Sequence, residues 1–99
     1  MPYVLRHKHS NQLYTCMLKN HYKLMYYGTK VWEFEEDAQS EYHAFLVEQG
    51  IADAPDWELL ELEENKMKVC NVKLKNNPSI ILFLSDDGAI TVDSRPGRD

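Results

Sequence analysis

The class of the fold turns on Glu35-Glu36-Asp37-Ala38-Gln39-Ser40-Glu41-Tyr42-His43-Ala44-Phe45-Leu46-Val47-Glu48-Gln49-Gly50. Three carboxylates open this run, where the exposed N–H groups and the positive end of a helix macrodipole favour negative charge. Ala38, Tyr42, Phe45, Leu46 and Gln49 then recur at i, i+4, i+7, i+8 and i+11, a mostly apolar stripe along one face of an α-helix. Gly50 suits the left-handed stop, with Ile51 folding back toward Leu46 as the hydrophobic partner of a Schellman ending. Such a stripe is expected to pack on a sheet.

Before the helix the period is two. Tyr3, Leu5 and His7 alternate with Val4, Arg6 and Lys8, and a β-favouring run from Leu13 to Lys19 follows the polar break His9-Ser10-Asn11-Gln12, which predicts a first hairpin. Asn20 and His21 precede a third strand, Tyr22 to Tyr27, where Gly28 marks a bulge or the end of pairing. Val31, Trp32 and Phe34 extend it or form a short strand of their own. After the helix, Pro55 makes Ala52 to Asp56 a connection. Trp57 to Glu63 and Met67 to Lys75 alternate on either side of Glu64-Asn65-Lys66 and predict a second hairpin. Asn76-Asn77-Pro78 leads to the apolar run Ile80 to Leu84, expected to be central and covered on both faces. Ser85-Asp86-Asp87-Gly88 turns the chain back into Ala89 to Val92. The expected architecture is α+β: an antiparallel sheet in the order βββ-α-ββββ with a single amphipathic helix packed on it. Residues 1–93 form one domain in this reading, and 94–99 a flexible C-terminal tail.

At 99 residues, with 43% hydrophobic, 11% aromatic and 27% charged side chains, the make-up is that of a globular domain and not of a disordered, collagen-like or coiled-coil chain. Ile80 to Leu84, its longest apolar run, falls far short of the about 18 residues a membrane span needs, so no membrane partner is expected. Met1 to His7 lacks a basic lead with a long apolar stretch behind it, and a cytoplasmic location is the default. Cys16 and Cys70 lie far apart and in no Cys-x-x-Cys pair, which predicts two reduced, packed thiols.

The net charge of −5 conceals a segregation. Residues 1–32 hold Arg6, Lys8, Lys19, Lys23 and Lys30 and no carboxylate, while residues 33–64 hold twelve carboxylates and no Lys or Arg. The last 35 residues are close to balance, at +2. A dipole of this size either faces a partner or joins a basic sheet to an acidic helix within the fold.

Catalytic signatures are missing from the sequence. No serine sits in a Gly-x-Ser-x-Gly elbow, no glycine-rich loop cradles a phosphate, and the carboxylate runs read as solvated surface. The chain is therefore expected to be no enzyme and to need no cofactor. His7 and His9 would share a strand face, which raises divalent metal binding as an alternative, but residues 1–32 offer no carboxylate to orient the rings. Tyr14, Lys19, Tyr22, Lys23 and Tyr26 combine rings that stack bases with cations that neutralise phosphates, and so raise single-stranded nucleic acid as a second alternative. The leading expectation is a protein-interaction or regulatory module, with Glu41, Glu48, Glu58, Glu61 and Glu63 forming an acidic face for a basic partner. Edge strands of the sheet could also pair two copies into a homodimer.

Overall fold

In the computed structural model, which describes residues 2–94, the first strand lies at the centre of the molecule. This strand, β1 (Tyr3–His7), pairs antiparallel along its whole length with β5 (Trp57–Glu61), from Tyr3 opposite Glu61 to His7 opposite Trp57. Its other edge is shared. Tyr3 and Val4 pair with β4 (Val31–Trp32), whereas Arg6 bridges Leu13 and the Leu5 carbonyl accepts from the Tyr14 N–H. Because successive side chains point to opposite faces of a strand, the fully buried Val4 and Leu5 enter two different cores.

Leu5 packs with Trp32, Ala38, Leu46, Ala54 and Trp57 beneath α1 (Glu35–Glu48). Val4 packs on the opposite side with Met67, Cys70 and Leu74 of a second helix, α2 (Glu64–Leu74), and with Leu13, Leu82 and Leu84. The sheet β4-β1-β5 is thus a middle layer between two helices. Two antiparallel ribbons flank α2: β2 (Thr15–Lys19) with β3 (Met25–Thr29), and β6 (Ile80–Leu84) with β7 (Ile90–Ser94).

The fold is α+β and antiparallel, as expected, and α1 starts at Glu35. Its end is the full Schellman pattern: Gly50 at φ +72° donates to the Val47 carbonyl at 3.0 Å and Ile51 to the Leu46 carbonyl at 3.1 Å. Ala38 and Leu46 are buried along the stripe, while Gln49 is exposed.

Several expectations are corrected. Residues 64–74 are helical, so the second hairpin does not exist and the order is ββββ-α-β-α-ββ. Met67, Cys70 and Leu74 recur at i, i+3 and i+7 and are all buried, whereas a strand alternating through Cys70, Val72 and Leu74 would bury Val72, which is 73% exposed. One continuous sheet gives way to three small ones, and the first hairpin is reduced to the Arg6 to Leu13 bridge because β2 pairs with β3. The sheet cannot propagate past β3. On its second edge the Thr29 and Tyr27 N–H groups donate to the side-chain oxygens of Asn71 and Asn76 at 3.2 and 2.7 Å. Gly28 is no bulge: it pairs with Cys16, and a Cβ there would lie 2.8 Å from the Tyr26 ring. Finally, β6 is only alternately buried, with Leu82 and Leu84 inside and Ile81 and Phe83 half-exposed. Ser94, the first residue of the expected C-terminal tail, belongs to β7, and residues 95–99 of that segment lie outside the described residues.

Candidate functional site

Every side chain on the outer surface of α1 follows from the position of its buried stripe. Asp37, Glu41 and Glu48 stand at i, i+4 and i+11, which aligns them as a ridge along one flank, all exposed. The flanking row Ser40, Ala44 and Val47 consists of small, exposed side chains, the Ser40 hydroxyl donating to the Asp37 carbonyl at 3.3 Å and Val47 being 61% exposed. The Trp32 indole engages the ridge, its Nε1–H donating to Glu41 Oε1 at 3.3 Å. α1 contains no Lys or Arg, and among the described residues no ion pair involves its carboxylates. Beside α1, the Lys30 ammonium lies over the Trp32 and Phe45 rings at 4.8 and 5.1 Å.

The other three acidic candidates are elsewhere. Glu58 alternates to the α2 side of β5, where its Oε2 accepts from Arg6 at 3.2 Å; Arg6 also reaches Asp86 at 3.3 Å. Glu61 stands opposite Tyr3 on the α1 side, at the end of β5, and Glu63 occupies the N-cap position of α2 without a side-chain cap bond. Glu41 and Glu48 therefore share a surface with Asp37, while Glu58 does not join it.

The nucleic-acid candidates separate in the same manner. Tyr14 packs edge-on against Phe45 and Trp57, each at 5.4 Å, and its hydroxyl donates to Gln49. Tyr26 is half-buried on the ribbon. Lys19, Tyr22 and Lys23 are exposed together at the far end of the β2–β3 ribbon, among exposed Met17, Leu24 and Met25.

Folding does bring carboxylates to the two histidines. His7 Nε2 lies 3.1 Å from Asp53 Oδ2, and His9 Nε2 lies 3.6 Å from Asp56 Oδ1; ligand atoms of His7, Asp53 and Asp56 fall within 4.8 Å of one another. The hydrogen bonds nevertheless oppose metal ligation. His7 Nδ1 accepts from the backbone N–H groups of His9 and Ser10 at 3.2 and 3.3 Å, which puts the ring proton on Nε2, where it is donated to Asp53. A ligating imidazole needs the reverse, one nitrogen on the metal and the other donating outward. Asp53 is further held by Trp57, whose Nε1–H donates to Oδ1 at 3.2 Å. That bond first, with His7 helping, holds the Asp53 carboxyl below its ordinary pKa despite some desolvation. The cluster is a clamp joining the end of β1 to the turn at Ala54–Asp56.

A groove of about 340 Å³ between β4 and α2 is lined by Pro2, Val31, Glu33, Glu64, Met67 and Lys68, a set without a nucleophile. Sequence reading did not find the outer face of α2, where Val69 and Val72 are exposed among Lys68, Lys73 and Lys75. The i, i+3 spacing of Met67 and Cys70 was the signal for it. No described helix is long and apolar enough to cross a membrane. No protein-family model, curated protein or solved structure matches the chain.

Proposed function

We propose that this protein is a non-catalytic interaction module that engages a basic protein partner through the acidic ridge of α1. The observation that carries the reading is the unneutralised alignment of Asp37, Glu41 and Glu48 on a helix without a cation. Like charges at i and i+4 destabilise a helix by about 0.2–0.5 kcal/mol, a cost that a cationic partner would reverse. A cytoplasmic site of action goes with this reading, because both thiols are free, as befits a reducing compartment. The variant Asp37→Asn/Glu41→Gln/Glu48→Gln keeps side-chain shape and the acceptor for Trp32 while removing the charge. Immobilised wild type is expected to retain a basic protein from nuclease-treated cytosol at about 0.1 M salt and to release it at about 0.5 M. The triple variant should retain none of it, whereas Lys19→Glu/Lys23→Glu should retain it fully. Equal retention by wild type and the triple variant overturns the reading.

A second reading, single-stranded nucleic-acid binding, is favoured by one observation, the joint exposure of Lys19, Tyr22 and Lys23 at the ribbon's end. Anisotropy of a labelled oligothymidine at about 50 mM salt tests it. Lys19→Ala/Lys23→Ala should flatten the salt slope by about 0.7 per lost phosphate contact. Absence of wild-type binding removes it.

A further inference from the structure

We infer that His7 is a proton-operated catch: its neutral ring holds the turn at residues 8–12 against the end of β1, and its charged ring releases that turn together with the adjoining end of the β6–β7 ribbon. Both nitrogens of the neutral ring are engaged. Nε2–H donates to Asp53 Oδ2 at 3.1 Å, and Nδ1 accepts from the His9 and Ser10 backbone N–H groups at 3.2 and 3.3 Å. A second proton therefore goes to Nδ1, which turns an acceptor into a donor aimed at two donors. Both bonds to the turn are lost in that one step.

The ring and the turn do not share the adjustment equally. His7 stands edge-on to Trp57 with centroids 5.2 Å apart, and rotating it away would give up the Asp53 bond just when positive charge strengthens that bond. Asp53 is held below the usual carboxylate range by the Trp57 bond first, so it stays an anion while an imidazole titrates. His9 and Ser10 are exposed, and their N–H groups can pass to water. The movement thus falls to the turn. The charged groups that face His7 are Asp53 and Asp56, from the connection before β5, and His9 from the turn itself; Arg6 and Lys8 alternate to the other face of the strand. On charging, His9 gains Asp56 as a partner at 3.6 Å and the His7 cation as a neighbour, ring to ring, at 5.6 Å. Those effects have opposite signs, so the release rests on Nδ1 of His7.

What the turn carries is β6. The carbonyl of Asn11, a residue at φ +65°, accepts from the Leu84 N–H at 2.9 Å, while beyond the turn the Leu13 N–H donates to the Leu82 carbonyl at 2.9 Å. Release accordingly loosens β6 at Leu84 and leaves it attached at Leu82.

Nitrogen-15 NMR of the intact chain from about pH 8 to about pH 5, the interval in which an ordinary imidazole takes up its proton, tests the catch. The His7 ring should begin as the Nε2–H form. The His9 and Ser10 amide signals should then move with a single midpoint, that of the His7 ring. Protection of the Leu84 amide against exchange, corrected for the intrinsic effect of pH, should fall about tenfold while that of the Leu13 amide holds. His7→Asn carries an uncharged oxygen as far along the side chain as Nδ1 and should keep the turn closed at both ends of the range, whereas His9→Gln should leave the transition in place. If His7→Asn does not fold, the shared midpoint in the wild type and its survival in His9→Gln decide the question. An Nδ1–H form at the start, a His7 ring that stays neutral to the end, or amides that stay put while the ring titrates overturns the inference. So does a transition that persists in folded His7→Asn or vanishes in His9→Gln.

Discussion

Thr29 is 1% exposed, and its hydroxyl has no hydrogen-bond partner among the described residues, although its N–H is satisfied by Asn71. A buried hydroxyl left unbonded loses its hydration without return, so the near-isosteric Thr29→Val should stabilise the protein by about 1 kcal/mol in urea unfolding. A loss of stability would show that the oxygen has a partner. Cys70 is fully buried on the inner face of α2, and desolvation pushes its thiol up to about 11. At pH 8 the thiolate fraction is then about one in a thousand, so mass spectrometry should find Cys16, which is half-buried, alkylated well before Cys70. The folded thiol keeps its proton longer than the unfolded one, so stability should fall as pH rises from about 9 toward 11. Labelling of both thiols at one rate would contradict that burial. The packed state of Cys70 was legible from its apolar neighbours, but the role of His7 was not. Its acceptor bonds come from the backbone turn at His9 and Ser10, and its carboxylate partner from Asp53, 46 residues away.

Among the elements, β3 is finished by side chains where another strand would ordinarily lie. Asn71 and Asn76 supply the oxygens that its outward N–H groups need, and Gly28 between them lets α2 come close. Asn76→Ala should cost about 1–3 kcal/mol, because the Tyr27 N–H loses the Asn76 oxygen beside a buried ring, and Asn76→Asp should cost less, since that acceptor remains. Urea midpoints compare the two; equal losses would mean that the amide NH₂ and not the oxygen matters. The first helix was readable because its carboxylate start, apolar stripe and terminal Gly50 all agree. α2 was not, because Cys70, Val72 and Leu74 satisfy a period of two while Met67, Cys70 and Leu74 satisfy a helix, and both patterns share the same residues. Lysine, methionine and leucine, good helix formers, tip the balance, and the amide-lined edge of β3 gives the helix its place.

At the level of the whole molecule, β1 belongs to both cores, so disturbance on one side should be felt on the other. Leu5→Ala should cost about 2–5 kcal/mol. It empties space beneath α1, and yet its urea transition followed by far-ultraviolet circular dichroism, which includes α2, should coincide with that followed by Trp32 and Trp57 fluorescence. Separate transitions would show that the two layers melt independently. Of the candidate surface, the sequence displayed the charge segregation in full. What it hid was distribution between layers: alternation on β5 turns Glu58 away from Glu61, and the helical period groups Asp37 with Glu41 and Glu48. The central place of β1 also has a consequence for the chain as it is made. The strand on which both cores are built is synthesised ahead of its full-length partner, which begins at Trp57, about 50 residues later, and synthesis at roughly 5–20 residues per second leaves Val4 and Leu5 waiting about 3–10 s for it. Nascent chains are therefore open to chaperone capture at β1 until β5 has been made, and a faster rate of translation should shorten that exposure.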